Sequence, residues 1–199
     1  MAIDAGADAV GLVSAMPSGP GPIAEALIAE IAAAIPPPVA TFLLTCLRDP
    51  DAIVAQHGRL RTSVIQLVDE LPPGAHRMLR AALPGTKLVQ VIHVTGSDAV
   101  DGARTVAPHV DALLLDSGRP QMAIKELGGT GRTHDWAVSR RIRETAGVPV
   151  FLAGGLRADN VSQAIAQVGP FGVDVCSGVR TNGRLDAAKV RAFIRAVAS

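Results

Sequence analysis

The 199-residue chain has no excess of charge of either sign: 19 lysines and arginines balance 18 aspartates and glutamates, leaving a formal charge of +1. A general nucleic-acid-binding surface requires a basic excess on a stripe or tail, so we expect no nucleic-acid partner. The balance still allows a local phosphate site, because a few backbone amides and one basic side chain suffice to bind a single phosphate group.

Cysteine is also scarce, and the chain has no obvious metal-ligand spacing. Cys46 and Cys176 lie far apart in apolar runs, so we expect reduced, buried thiols. The five histidines are scattered, and only His93, near the end of a predicted strand, could point into a site. The sequence therefore offers no metal-ligand motif.

Long apolar runs are absent as well. No stretch of about 18 uninterrupted apolar residues occurs, which argues against a membrane span. The first six residues show neither the basic nor the apolar region of a signal peptide, so we expect a cytoplasmic protein. Apolar residues nevertheless make up 48% of the chain, enough for one hydrophobic core. We predict a single domain spanning residues 1–199.

The apolar residues that are present form seven short, consecutive runs, typical of parallel strands buried on both faces. We predict strands at Ala9–Val13, Val39–Thr45, Ser63–Leu67, Leu88–Val94, Ala112–Asp116, Val148–Leu152 and Gly172–Cys176.

The segments between these runs have helical periodicity. Near the start, apolar residues recur every four positions at Ile23, Leu27, Ile31 and Ile35. Near residue 165 the periodic residues are Val161, Ala164, Ile165 and Val168. Asp159 is placed to cap this later helix and Gly169 to end it, and Asp186 is placed to cap the last helix.

Strands alternating with helices predict an α/β protein with a parallel sheet. The pattern alone leaves both a doubly wound open sheet and a closed barrel possible. In either case the functional residues should lie on loops after the carboxyl ends of the strands.

Two such loops near the end of the chain are rich in small residues. Ala153-Gly154-Gly155-Leu156 follows the sixth run, and Ser177-Gly178-Val179 follows the seventh. Small residues let backbone amides approach an anion closely. Glycines in tight turns would give the same pattern, but two neighbouring loops of this kind favour a phosphate site.

Asp116 ends the fifth run, where partial desolvation can raise the pKa of a carboxyl group toward the range of a general acid. From position alone, a carboxylate that only caps its loop is an equally good interpretation. The glycine-rich segment 128–133 before Asp135-Trp136 could close over a ligand or could be an ordinary surface loop.

At these loops the sequence resembles the phosphoribosylanthranilate isomerase family of tryptophan biosynthesis, whose members convert a ribosylamine into a ketose by an Amadori rearrangement. The matching segments are 4–11, 114–116, 128–136, 153–156 with 160–161, and 170–179.

The resemblance implies a (β/α)8 TIM barrel without metal or cofactor, with a phosphorylated sugar as substrate and Asp116 as general acid. It also places substrate or its phosphate at Gly129, Gly131, Gly154, Gly155, Ser177 and Gly178.

The sequence departs from the family in its first part. The family's general base is a cysteine on the first strand, in a Lys-Ile-Cys-Gly-like motif, and we expect this chain to begin after that strand. A family arginine corresponds to a place near Gly19-Pro20, and a family Gln-Leu-His-Gly is replaced by residues 66–69. We therefore expect a barrel without its first strand, whose two exposed edges favour a homo-oligomer.

Three functions remain open from the sequence. The leading one is the isomerase, acting on N-(5-phosphoribosyl)anthranilate. The second is a diverged barrel that binds a phosphosugar without catalysis. The third is another phosphate-binding barrel isomerase or synthase of histidine or tryptophan synthesis, which should carry acidic or lysine residues at early strand ends, where Ala15, Cys46 and Val68 offer none.

Overall fold

The computed structural model describes residues 1–17, 19, 21–118, 125, 127, 131 and 133–199. Within these residues, seven parallel strands form one sheet in the order of the chain. The strands are β1 (Ala9–Val13), β2 (Ala40–Thr45), β3 (Val64–Leu67), β4 (Lys87–His93), β5 (Ala112–Asp116), β6 (Val150–Leu152) and β7 (Gly172–Val173). A separate antiparallel hairpin pairs β8 (Arg180–Thr181) with β9 (Arg184–Leu185).

Helices connect successive strands of the sheet and pack side by side around it. They are α1 (Glu25–Ala34), α2 (Pro50–Leu60), α3 (Ala75–Ala82), α4 (Ala99–Val106), α5 (Trp136–Thr145), α6 (Val161–Val168) and α7 (Ala187–Ala198). Short 3-10 turns lie at Ile3–Ala5, Ala107–His109 and Ser177–Val179. None of the helices in the described ranges is long and apolar enough to cross a membrane.

The buried strands explain the consecutive apolar runs of the sequence. Every residue of β3 and of β5 is buried, because helices cover one face of the sheet and side chains of neighbouring strands fill the other. The larger core cluster lies between sheet and helices and includes Ile65, Leu113 and Ile142. A second cluster, on the opposite face, includes Val89, Val91 and Leu114.

The sheet is curled rather than closed in the described residues. Each strand pairs with the next, as His93 does with Asp116 across β4 and β5, but no pairing joins β7 to β1 among the residues described. The sequence predicted an α/β barrel with one strand fewer than eight, and the seven parallel strands agree with it. The strand bounds differ from the predicted ones by up to three residues, most at β7.

Two of the predicted helix ends are confirmed and one is wrong. The Asp186 side chain accepts hydrogen bonds from the amides of Ala188 and Lys189, and Gly169 ends α6 in the left-handed conformation. Asp159 does not cap α6, because the helix begins one residue later than predicted, after Asn160. The Asp159 carboxylate instead pairs with Arg157 at 3.1 Å.

The buried face of α1 does not coincide with the row of apolar residues at four-residue spacing. Ile28 is fully buried, whereas Leu27 is 42% exposed. A four-residue spacing advances about 40° beyond a full turn at each step, because a helical residue turns about 100°. The row Ile23, Leu27, Ile31 and Ile35 therefore winds around the helix, and residues between its members complete the buried stripe.

Candidate active site

The carboxyl ends of β5, β6 and β7 meet around one small cavity. Its lining combines two carboxyl groups with a series of small residues, as a site for a polar, anionic ligand requires. The residues that line it are Asp116, Gly131, Ala153, Gly154, Gly155, Leu156, Asp174, Val175, Cys176 and Ser177.

Asp116 is the last residue of β5, and its side chain is buried at the cavity. Burial raises the pKa of its carboxyl group, and hydrogen bonds from Ser117 and the nearby imidazole of His93 oppose this effect. The Ser117 amide donates to Oδ1 at 2.6 Å and fixes the orientation of the group. The structure thus places Asp116 where the sequence predicted, in an environment that favours the protonated form.

Asp174 is a second carboxyl group in the cavity, and sequence reasoning missed it. Asp174 is exposed by its relative surface area, but protein atoms crowd around its carboxyl group, and this desolvation together with the negative charge of Asp116 raises its pKa to about 6. The two groups resist ionising together, so at mildly acidic pH the pair retains a proton. The available signal was a lone acidic residue between two valines in an apolar run.

Gly154 lies at the centre of the site, where three segments of the chain approach each other closely. Its φ of +81° lies in the left-handed region. A Cβ atom at this position would lie 2.9 Å from Nδ1 of His134 and 3.1 Å from both Oδ1 of Asp116 and the amide nitrogen of Ser117. Only glycine lets the loop after β6 pass this close to the end of β5.

The same loop presents hydrogen-bond donors that the described residues leave unpaired. The amides of Gly154, Gly155 and Leu156 donate to no acceptor there, and the Ser177 hydroxyl likewise has no partner in the described part of the chain. Gly155 has a φ of +63°, and its carbonyl accepts from Asn160 at 3.1 Å, which fixes the loop. Unpaired amides beside a hydroxyl form a concave set of donors suited to phosphate oxygens.

The other predicted glycines fall into three cases. Gly131 lines the cavity, with its Cβ position 3.5 Å from Oγ of Ser177. Gly178 does not line it; a Cβ atom there would collide with the backbone carbonyl of Leu156. Its absent side chain lets the loops after β6 and β7 pack together. Gly129 lies outside the described residues.

His134 belongs to the site, contrary to the expectation that only His93 could do so. Its Nε2 lies 2.7 Å from Oγ of Ser139, whose hydroxyl donates to the Asp135 carbonyl. Nε2 therefore carries the hydrogen, and Nδ1, which is buried and has no partner among the described residues, presents a lone pair toward Gly154. Burial lowers the pKa of His134 to about 4, so the imidazole is neutral.

The two cysteines are free, as predicted, but half-buried rather than buried. Cys46 lies just after β2 and donates to the Ala15 carbonyl, while Cys176 lines the cavity. Burial raises the pKa of both thiols. Both thiols lie near the edge of the sheet where the strands end. Because their pKa values are raised, both are protonated at neutral pH.

The ends of the early strands carry a different arrangement. Asp69, two residues after β3, is buried and pairs with Lys125 at 2.5 Å. The sequence did not predict this ion pair, since no charged residue directly ends β1, β2 or β3. Nowhere among the described residues do three or more histidine, cysteine, aspartate or glutamate side chains group as metal ligands.

Comparisons with known proteins agree with this geometry. The family model of N-(5'-phosphoribosyl)anthranilate isomerase matches residues 41–196. The enzyme of that name from Halorubrum lacusprofundi is 41% identical over 200 residues, covering 97% of this chain and 87% of that protein.

Solved structures give the same result. The phosphoribosylanthranilate isomerase of Thermotoga maritima superimposes with a TM-score of 0.83 at 27% identity, covering 99% of this chain and 91% of that one. A phosphoribosylanthranilate isomerase in complex with reduced 1-(o-carboxyphenylamino)-1-deoxyribulose 5-phosphate gives 0.81 at 25% identity, with 99% and 90% covered.

Proposed function

Because this chain belongs to the N-(5'-phosphoribosyl)anthranilate isomerase family, we propose that it isomerises N-(5'-phosphoribosyl)anthranilate to 1-(o-carboxyphenylamino)-1-deoxyribulose 5-phosphate. The observation that carries the proposal is the single cavity in which the buried Asp116 carboxyl group faces the unpaired donors of the Gly154-Gly155 loop and Ser177.

The reaction requires an acid and a base on opposite sides of the sugar. Protonation of the ribose ring oxygen opens the ring, and removal of the proton at C2 gives an enolamine that becomes the ketose. Asp116 is the acid in this proposal, because burial raises the pKa of its carboxyl group and keeps a proton available. The neighbouring Asp174 is coupled to it, since the negative charge of Asp116 helps to raise the pKa of Asp174.

The phosphate group anchors the substrate so that the ring oxygen reaches Asp116. In this proposal the amides of Gly155 and Leu156 and the hydroxyl of Ser177 donate to it, and Gly131 lies beside Ser177. Binding of the phosphate holds the sugar in the orientation that the reaction requires. Gly178 supports the same site indirectly by holding the loop after β7 against Leu156.

A non-catalytic phosphosugar-binding protein is the alternative. It is favoured by the state of the two cysteine residues, since burial raises the pKa of both thiols and leaves neither as a ready base at neutral pH. Such a protein would bind the phosphosugar at the same cavity and leave it unchanged.

Turnover separates these functions. The decay of phosphoribosylanthranilate fluorescence, with the substrate made in situ, should be catalysed by this chain. Asp116→Asn should lower kcat by roughly 10²- to 10⁴-fold, the usual contribution of a general acid. Asp159→Asn, which removes an exposed carboxylate paired only with Arg157, is the matched control and should leave kcat unchanged. Binding of the product analogue without turnover by the unmodified chain would instead support the binding protein.

Self-association is a further expectation of this proposal. In the described residues β1 and β7 each pair on one side only, and unpaired strand edges favour association with a second chain. Sedimentation velocity should detect a dimer; a monomer at all concentrations would contradict the expectation.

A further inference from the structure

Arg180 lies between the two ends of the open sheet, beside the candidate active site. It is the first residue of β8, directly after the 3-10 turn Ser177–Val179 that follows β7. Its Nη2 atom lies 3.8 Å from the Cβ position of Gly21, in the loop that follows β1. The guanidinium also lies near enough to the Cys176 thiol, which lines the cavity, for its charge to act on that thiol. The side chain therefore borders the cavity on the side facing β1.

The guanidinium has hydrogen-bonding capacity that the described residues do not use. Nη1 donates to the Gly183 carbonyl at 2.8 Å, whereas Nε is buried and has no acceptor within the described ranges. No carboxylate among the described residues forms an ion pair with Arg180. By contrast, Arg59 and Arg80 each pair with an acidic side chain.

The position of this charge is fixed by its own hairpin. Asn182 and Gly183 both have positive φ angles, of 51° and 77°, and form the tight turn that joins β8 to β9. Lys189 donates to the Arg180 carbonyl at 2.9 Å. A buried donor without an acceptor costs free energy, and a hairpin that holds it in place indicates that a ligand supplies the missing acceptor.

The chemistry of the proposed substrate identifies that acceptor. The substrate carries a carboxylate on its aromatic ring in addition to its phosphate. A carboxylate that loses its water on binding requires a neighbouring cation or hydrogen-bond donors. The loop 17–22 after β1 contains no charged residue, and Lys125 pairs with Asp69. Arg180 is the described cation that borders the cavity without an acidic partner.

We propose that Arg180 is the specificity-determining residue that binds the aromatic carboxylate of the substrate, through Nε and Nη2. The inference rests on the proposed function and deepens it. The phosphate lies at the Gly154-Gly155 loop and Ser177, the ribose lies at Asp116, and the aromatic ring extends past Cys176 toward the loop after β1. A planar guanidinium suits a carboxylate because it can donate two parallel hydrogen bonds.

The test compares two ligands that differ only in the carboxylate. They are reduced 1-(o-carboxyphenylamino)-1-deoxyribulose 5-phosphate and the same compound without the carboxyl group, and their Kd values are measured by calorimetry. The unmodified chain should bind the carboxylated ligand roughly 10- to 100-fold more tightly, as expected for a charged hydrogen-bonded pair. Arg180→Gln should remove that preference and leave the Kd of the carboxyl-free ligand within about twofold.

Control variants distinguish a ligand contact from a structural one. Arg184→Gln changes an exposed arginine of the same hairpin and should leave both Kd values unchanged. Arg180→Lys keeps the charge but not the planar fork, so it should lose only part of the preference; it also serves as the test if Arg180→Gln does not fold.

Two results would overturn the assignment: an unmodified chain that binds both ligands equally, or an Arg180→Gln variant that weakens both equally. If the unmodified chain binds neither ligand, the proposed function itself fails and the assignment fails with it.

Discussion

The late and early strands of this sheet end in very different surroundings. At the ends of β5, β6 and β7, two carboxyl groups with raised pKa values and amides that are unpaired within the described residues line one cavity, and the neutral His134 lies beside it at Gly154. At the end of β3, by contrast, the buried Asp69 is paired with Lys125. Buried charges are normally paired, so the unpaired, perturbed groups mark the late strands as the functional part of the fold.

The glycines of the cavity loops also differ from those inside two of the helices. A Cβ atom at Gly154 or Gly178 would meet backbone or charged atoms at short range, whereas Gly58 in α2 and Gly102 in α4 have nothing within 4 Å. Close approach of chain segments is therefore required where the cavity forms and not in the helices of the early half. The contrasts between the cavity and the rest of the fold can be tested by substitution, from the largest expected effect to the smallest.

Gly178→Ala should have the largest effect on stability. The new methyl group would collide with the Leu156 carbonyl, which is backbone and cannot move without shifting the loop after β6. We expect a loss of about 3 kcal/mol or more in the free energy of unfolding, comparable to other overpacked sites, together with lost phosphosugar binding. Urea denaturation measures the first and calorimetry the second. A fully stable variant would contradict the packing described for these loops.

His134→Gln should change how stability depends on pH. Burial lowers the pKa of His134 to about 4 from an unfolded value of 6.5. Between these two pH values, His134 is protonated in the unfolded chain and neutral in the folded chain. The free energy of unfolding therefore falls as the pH decreases from 6.5 toward 4. Between pH 7 and pH 5, the free energy of unfolding should fall by about 1–2 kcal/mol less in the variant than in the unmodified protein. Equal slopes in denaturation series for the two proteins would show that His134 is not neutral in the folded state.

Asp174→Asn should have a smaller effect of opposite direction. The folded-state pKa of about 6 lies above the unfolded value of 3.8, so ionisation destabilises the fold as the pH rises through 6. The variant should gain about 1 kcal/mol at pH 8 and nothing near pH 4, the gain being reduced because part of the side chain touches water. Asp159→Asn, an exposed control, should show no such trend. A gain that is the same at both pH values would point to packing instead of charge.

Gly58→Ala should have the smallest effect and should stabilise the protein. Gly58 lies inside α2 with open space around its Cβ position, and alanine reduces the entropy lost on folding. We expect a gain of about 0.5–1 kcal/mol in the free energy of unfolding. Gly102→Ala in α4 is the matched variant and should behave alike. If urea denaturation gave a lower free energy of unfolding for either variant, it would contradict the contrast drawn between cavity loops and helices.

The sequence predicted the parts of the fold and site that depend on local pattern. The seven apolar runs, Asp116 at the end of β5 and the Gly154 and Ser177 loops are each readable because strand, loop and residue type lie together in the chain. Asp174, His134 and the pair Asp69–Lys125 could not be predicted in this way. Their properties arise from segments far apart in sequence, such as the 56 positions between Asp69 and Lys125.

Helix details failed for a local reason. Asp159 and Asn160 are both favourable capping residues, and adjacent candidates leave the start of α6 ambiguous by one position. For α1, a row of aliphatic residues at four-residue spacing did not identify the buried face, since Ile28, outside the row, is the residue that is fully buried.

A crystal structure of this chain with reduced 1-(o-carboxyphenylamino)-1-deoxyribulose 5-phosphate would test the assignment of the site most directly. We predict phosphate oxygens at the amides of Gly155 and Leu156 and the Ser177 hydroxyl, the sugar beside Asp116, and the carboxylate against Arg180. A ligand bound at the ends of β1–β3, or with its phosphate away from the Gly154-Gly155 loop, would contradict it.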